Sequence, residues 1–300
     1  MKRTFLTGGT GFFGKSILSM VKRGFLSEYE FTILSRNPDK FMDANVEFKG
    51  LDNVEFIQGD VRDFSFPKGH FDYVIHAGAP AIAMPPGVER EIIMRGTERV
   101  LRFVKSTGAQ KLMFVSSGAV SGSRSSDEGI ITEGSPCHPE SEYGIAKLEA
   151  EQMCQASDVF TVISRCFAFV GPYLNRDIHF AIGNFIRDAL RGEVIVIKGD
   201  GTPLRSYMYA DDLVRWLFTI LEHGQRGIPY NVGSDEPISI LQLAELVKET
   251  LGSTAEIVVK GIPRDDGCVE CYVPSIEKAR MELGVSLDVP LKEAILKSSR

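Results

Sequence analysis

Thr7-Gly8-Gly9-Thr10-Gly11-Phe12-Phe13-Gly14 decides the fold of this chain. Gly8, Gly11 and Gly14 stand between a β-rich run at residues 3–7 and a helical pattern at residues 12–23. A strand that turns at once into a helix needs positions without side chains. They permit the tight turn, and they let backbone amides at the helix start approach a pyrophosphate. A lone glycine triplet is weak evidence, but this one has the flanks that dinucleotide binding requires.

Outward from that loop the same rhythm continues. Strands are read at residues 31–35, 54–58, 71–76 and 111–116, with helical stretches such as 88–106 between them. Alternation of this kind signals βαβ units, and near-continuous apolar strands signal a sheet covered on both faces. Residues 142–156 read as another helix and 159–165 as a sixth strand. After Gly171-Pro172 the pattern changes. A helix at 184–191, a short strand at 194–198, a turn at Gly199-Asp200-Gly201 and helices at 211–222 and 239–251 follow. The expected fold class is α/β, a Rossmann-like doubly wound parallel sheet. A smaller α+β substrate-binding lobe is expected on the C-terminal side, over the carboxyl ends of the strands, where open α/β sheets bind ligands. The dinucleotide-binding domain is expected at 1–171 with 206–226 packing back onto it, and the lobe at 172–205 and 227–300.

Composition narrows the function. The chain has 300 residues, 43% hydrophobic and 25% charged, enough for a packed core. Its net charge of -6, without a basic block, argues against nucleic-acid or membrane surfaces. No apolar run reaches the roughly 18 residues of a membrane span. Met1-Lys2-Arg3 leads into no apolar stretch, so a cytoplasmic location is expected. Five cysteines, odd and scattered, do not make a disulfide framework. Cys268 and Cys271 form a CxxC with no second close pair, so no metal is expected and the pair is assigned to a surface loop.

Several residues carry chemistry. NAD-binding folds place an acid about 20 residues after the glycines, at the end of strand two, to hold the ribose 2′-hydroxyl. Here Ser35 and Arg36 stand there, with Lys40 nearby, and both suit a phosphate. NADP(H) is therefore favoured, with NAD as the alternative. Asp60 closes strand three, followed by Val61; its carboxylate fits either an adenine amino group or a helix cap. His76-Ala77-Gly78-Ala79 ends strand four, where small residues let a cofactor lie against the backbone; His76 is read as structural. Tyr143 and Lys147 are four apart on a helix and share a face. A phenol titrates near 10, and a neighbouring ammonium favours its ionised form. Ser117, at the end of strand five, adds a hydroxyl that can polarise a carbonyl.

Together these residues resemble the extended short-chain dehydrogenase/reductase family, the nucleotide-sugar epimerases, dehydratases and ketoreductases. GDVRD, HAGA, VSSGAVSG, YGIAK and RCFAFVGP follow the glycine motif in the family's order. Residues 185–214, then YNVGSDEPISI, PRDDG and EKARMELG, extend the likeness over nearly the whole chain. The resemblance implies that Tyr143 is the acid/base at the sugar hydroxyl. Lys147 tunes it and holds the nicotinamide ribose, and Ser117 bonds the reacting oxygen. It also implies Gly8, Gly11, Phe12, Phe13 and Gly14 at the diphosphate, and Ser35, Arg36, Asp60, Val61, Ala77, Gly78, Ala79 and Phe167 along the cofactor. Asn184, Arg205, Asn231 and Arg264 fall where the family contacts the substrate's diphosphate or ribose. Family members commonly pair through helices near 88–106 and 143–157, so a homodimer is expected.

The departures bear on the reaction. Dehydratases carry an Asp-Glu pair directly after the catalytic hydroxyl, and the decarboxylase a glutamate two residues after it; this chain has Gly118 and Ala119. The family's VYG is Val120-Ser121-Gly122. Two expected asparagines are Ala168 and Ile93. The main expectation is reduction of a 4-keto-sugar nucleotide by NADPH, with Tyr143 protonating the alkoxide. The alternatives are a nucleotide-sugar 4-epimerase, a dehydratase, and, from another class, a non-catalytic cofactor-binding scaffold or redox sensor. His179 is a further acid for a C3/C5-epimerising reductase or, more simply, a solvated helix-start histidine.

Overall fold

The computed structural model describes residues 1–80, 84–178, 180–262 and 267–300. In chain order the elements are β1 (Lys2–Thr7), α1 (Phe12–Lys22), β2 (Tyr29–Ser35), α2 (Pro38–Ala44), β3 (Val54–Gln58), β4 (Tyr73–His76), α3 (Val88–Thr107), β5 (Lys111–Ser117), β6 (Arg124–Ser125), α4 (Glu142–Ala156), β7 (Thr161–Cys166), β8 (Phe169–Val170), α5 (Ala181–Arg191), β9 (Ile195–Ile197), β10 (Leu204–Arg205), β11 (Met208–Tyr209), α6 (Ala210–His223), β12 (Pro229–Val232), β13 (Ile238–Ser239), α7 (Ile240–Thr250), β14 (Ile257–Val259), β15 (Glu270–Tyr272), α8 (Glu277–Leu283) and α9 (Leu291–Ser298). They form two compact units. The first comprises 1–120, 137–165 and 217–230, the second 121–136, 166–216 and 231–300.

The first unit carries a seven-stranded sheet in the order β12-β7-β5-β4-β1-β2-β3. This is the expected doubly wound α/β arrangement. β1 pairs in parallel with β2 on one side and β4 on the other, with Thr7 opposite both Leu34 and His76. Strand order therefore reverses beside β1, and the crevice of such a sheet opens at that point. β1 lies mid-sheet because Phe5 and Leu6 bury opposite faces. Phe5, Phe64, Phe71 and Phe103 pack ring against ring, with Phe5 and Phe103 centred 4.6 Å apart. The fourth strand begins at Tyr73 rather than residue 71. β12 had no counterpart in the sequence reading. It is four residues long and opens with Pro229, which a sheet tolerates at the first position of an edge strand.

The second unit holds a four-stranded sheet, β13-β10-β15-β6, and the parallel pairs β8–β11 and β9–β14. Its core gathers Ile182, Phe185, Ile186 and Ala189 of α5, at helical spacing, against Ile195, Ile197, Leu243 and Val247. A capping box between Ser239 and Gln242 starts α7. The CxxC is not a surface loop. Cys271 lies buried in β15 because the strand turns its side chain inward, while Cys268 faces the Ser125 hydroxyl at 3.5 Å. No helix among the described residues is long and apolar enough to cross a membrane.

Candidate active site

The glycine loop joins β1 to α1 at the reversal of strand order. Gly8 has φ +77°, and a Cβ there would sit 2.4 Å from the Ala77 carbonyl oxygen at the end of β4. A Cβ on Gly14 would fall 2.1 Å from the Gly9 Cα. Both glycines are demanded by the fold itself. Gly11 is different. It is exposed, and its nearest obstacle would be the Gly8 oxygen at 3.5 Å. The protein leaves that space open, as a phosphate-cradling position requires. No side chain caps α1 and no acid stands in its first turn, so nothing there competes with an anion for the helix start. These residues fit a dinucleotide diphosphate.

A buried chain of polar groups ties the loop to β4. Thr97 donates to the Ile93 carbonyl at 2.7 Å, so its oxygen accepts from His76 Nε2 at 3.2 Å. His76 Nδ1 then accepts from the Thr7 hydroxyl at 2.7 Å, and that oxygen accepts the Gly78 amide at 3.1 Å. Every member is satisfied with the imidazole neutral. Burial first, then the Lys147 charge, pull its titration down to about 3. His76 is structural, as expected. Thr7 and Thr97 were missed; their signal was only a hydroxyl beside each motif.

Tyr143 and Lys147 lie on α4, which packs against β5, the strand that ends at Ser117. Ser141 caps α4 through the Gly144 amide at 3.0 Å, which sets where Tyr143 begins its turn. A Cβ on Gly144 would be 2.6 Å from the Ala119 oxygen, so α4 rests directly on the turn after Ser117. Lys147 is 3% exposed and donates to the Val115 carbonyl at 2.8 Å. Its ammonium lies 5.7 Å from the centre of the Tyr143 ring and 5.0 Å from that of Phe114. The Ser117 oxygen accepts the Ala119 amide at 3.1 Å. One turn beyond Lys147, Glu151 takes the Ser116 hydroxyl and pairs with Arg165. Sequence reasoning passed over that pair because neither residue belongs to a short motif.

Along the rest of the expected cofactor track, Ser35 is buried and accepts the Asn37 amide at 3.2 Å, beside the exposed Arg36. Asp60 accepts the Arg62 amide at 3.0 Å and its guanidinium at 2.8 Å, and the Arg62 bond holds its carboxyl below the usual range. Val61 packs beside Gly96, where a Cβ would stand 3.0 Å away. Ala79 leans on the core, and Phe12 and Phe13 meet edge to face at 5.9 Å.

Of the expected substrate residues, Asn184, Arg205 and Asn231 lie in the second unit. Asn231 is fully buried, donates to the Ile131 and Ser275 carbonyls at 2.9 and 3.1 Å, and leaves its side-chain oxygen without a partner. The Asn184 side-chain oxygen is likewise buried and unpartnered. Arg205 pairs with Glu270 at 2.6 Å and lies over Tyr272, on which Phe167 packs at 4.9 Å. Arg264 and His179 lie outside the described residues. No group of three or more metal-ligating side chains occurs among the described residues.

Comparison with known proteins places this geometry. Residues 4–233 match the NAD dependent epimerase/dehydratase family. UDP-glucuronic acid decarboxylase 1 of Xenopus tropicalis is 30% identical over 99% of this chain and 71% of the relative. The dTDP-D-glucose 4,6-dehydratase of Mus musculus is 30% identical over 83% of this chain and 74% of its own length. A solved UDP-glucose 4-epimerase from Thermotoga maritima, holding UDP-glucose, superposes with a TM-score of 0.81 at 25% identity, covering 99% of this chain and 97% of that one. A match running from the first strand of the sheet to the last shows that this chain belongs to the NAD dependent epimerase/dehydratase family, within the extended short-chain dehydrogenase/reductase group of enzymes.

Proposed function

We propose that the enzyme is a nucleotide-sugar 4-epimerase that keeps its nicotinamide dinucleotide bound throughout the cycle. One observation carries the reading. Lys147 holds the Val115 carbonyl near the end of β5 with its ammonium 5.7 Å from the centre of the Tyr143 ring, and the two residues after the Ser117 hydroxyl are Gly118 and Ala119. Inversion at C4 needs one proton moved on and off one hydroxyl, and nothing more from side chains. Elimination of water or carbon dioxide needs a further acid or base beside the sugar, and the positions that carry it in dehydratases and the decarboxylase hold no carboxylate here. The reading thus separates this chain from two of its named relatives while keeping the third in view.

Tyr143 takes the proton of the C4 hydroxyl and returns it to the C4 oxygen after inversion. Ser117 hydrogen-bonds that oxygen. Lys147, held by the Val115 carbonyl, supplies the charge that favours the phenolate. The bound dinucleotide supplies reversible hydride acceptance. On this reading Phe167 lies beside the nicotinamide, and Asn184, Arg205 and Arg264 receive the anionic diphosphate; Asn231, fully buried with both amide hydrogens donated to carbonyls, has no donor left for it. A cytoplasmic homodimer is the state expected of it.

Reduction of a 4-keto sugar is the second reading, and Ser35 with Arg36 favours it, because a 2′-phosphate suits NADP(H) and net reduction. The two are separated by incubating the purified protein with UDP-hexoses and following C4 inversion by proton NMR without added coenzyme. Inversion without net coenzyme turnover is the expected result. A requirement for stoichiometric NADPH would replace the epimerase reading with the reductase one.

A further inference from the structure

Tyr143, Lys147 and Glu151 recur every four residues and share one face of α4. The first two belong to the chemistry proposed above; the third does not. Glu151 is 1% exposed and Arg165 5%. Arg165 forks onto the carboxylate, with Nη2 at 2.8 Å from one oxygen and Nε at 3.1 Å from the other. The Ser116 hydroxyl donates to the same carboxylate. Three elements thus meet at one group: β5 through Ser116, α4 through Glu151, and β7 through Arg165. The contact lies one residue before Ser117 and one helical turn after Lys147.

A pair so enclosed is a poor source of stability. Desolvation of the two charges offsets most of their attraction, and well-packed apolar residues in the same places hold a fold as well or better. What an apolar pair does not supply is direction. Bidentate bonds fix the angle and the depth at which α4 lies on the sheet. Lys147 grips the Val115 carbonyl and Glu151 grips Ser116, so two successive turns of α4 hold two successive residues of β5. Sliding or rolling of the helix would break both contacts and carry Tyr143 away from Ser117. The anion also acts on its surroundings: burial first, then Glu151, push the Cys154 thiol up to about 12.

We propose that the Ser116–Glu151–Arg165 network is a strut that sets the register of α4 against the end of β5, and that Glu151 and Arg165 are therefore positioning residues for Ser117, Tyr143 and Lys147. The inference rests on the reading of Tyr143 as acid/base, but it is tested without substrate.

The test replaces the pair by apolar residues, Glu151→Met with Arg165→Met, in the full-length protein. Tyrosine labelled with carbon-13 at the ring ζ position reports each phenol by NMR, with Tyr143 assigned from Tyr143→Phe. The expected result is a folded variant with a thermal midpoint near that of the wild type, in which Tyr143 titrates at higher pH by about one unit, about a tenfold loss of phenolate. An unchanged Tyr143 titration in the folded variant overturns the strut. Should the double variant not fold, Ser116→Ala and Glu151→Gln decide the matter by the same reading: an upward shift in either supports the strut, and no shift in both overturns it. A failure of the epimerase reading would show instead as absent sugar inversion in the wild type, with this titration result standing.

Discussion

The protein pairs a tyrosine with a lysine at both ends of its parallel strands, beside the start of β1 and near the end of β5, and the two pairs differ in kind. At the amino end Lys2 stands 5.2 Å from the centre of the Tyr29 ring; at the carboxyl end Lys147 stands 5.7 Å from that of Tyr143. Geometry alone would rank the first pair as the better catalyst. Its third partner reverses that ranking. Glu222 accepts the Tyr29 hydroxyl at 2.5 Å and binds the Lys2 ammonium as well. Burial, followed by that hydrogen bond, drives the Tyr29 phenol far above its ordinary value. Its own bond to Glu222 raises Lys2. Lys147 instead donates to a neutral carbonyl, and its charge still reaches His76 and Glu89. A carboxylate that accepts a hydrogen bond from a phenol holds the proton on the phenol, and at the amino end Glu222 does so.

The sharpest way to break this contrast is to remove each hydroxyl. Tyr143→Phe is expected to lower kcat by about a thousandfold, the range of a lost general acid–base, while bound dinucleotide stays in place. Tyr29→Phe should leave kcat within about twofold and lower the thermal midpoint instead. Steady-state rates and the absorbance of purified protein check both. Next come the amines. Lys147→Met should reduce kcat by about a hundredfold and move the acid limb of the rate profile to higher pH, whereas Lys2→Met should move neither.

A third prediction concerns His76, which ties the end of β4 to the carboxyl end of β1 through Thr7. The unfolded imidazole takes up a proton near its model value of 6.5, and the buried one only near about 3. Between those values the unfolded state binds more protons, so stability must fall as pH falls through that window, by an amount on the order of a few kcal/mol. Above it the two states bind alike and the term vanishes. Midpoints of His76→Asn measured across the window should show a shallower slope than the wild type; parallel slopes would contradict a neutral buried imidazole. The smallest effect belongs to Glu222. Burial pushes its carboxyl up, but the bonds from Lys2 and Tyr29 outweigh that and hold it below the usual range. Its contribution is present above the unfolded carboxylate value and lost as pH falls through the folded one. Glu222→Gln should lower the midpoint by a few degrees at neutral pH, with no change in kcat.

The fold and the proposed Tyr143–Lys147 pair were legible for one reason: each depends on residues adjacent in sequence or one helical turn apart. Gly8 to Gly14 is a strand–turn–helix written in consecutive letters, and Tyr143 with Lys147 is a helix face written at a spacing of four. What stayed hidden depends on contacts between distant segments. Nothing near Thr7 announces that it will bond His76, and nothing near Glu151 announces Arg165. Strands of two or three residues, such as β6, β10 and β13, show no periodicity to read. Cys271 looked like half of an exposed CxxC because a buried strand so short leaves no alternation around it. For Asp60 either an adenine contact or a helix cap was expected; no helix starts there, and its carboxylate instead accepts the Arg62 amide within a turn and pairs with the Arg62 guanidinium.

The most direct measurement of the central claim is a single turnover. Purified wild-type protein and Tyr143→Phe, each with its dinucleotide bound and in excess over a UDP-hexose, are mixed rapidly while the nicotinamide absorbance is followed. The account predicts transient reduction of bound cofactor by the wild type, accompanied by C4 inversion of the sugar, and neither in the variant. Reduction by Tyr143→Phe at the wild-type rate would contradict it.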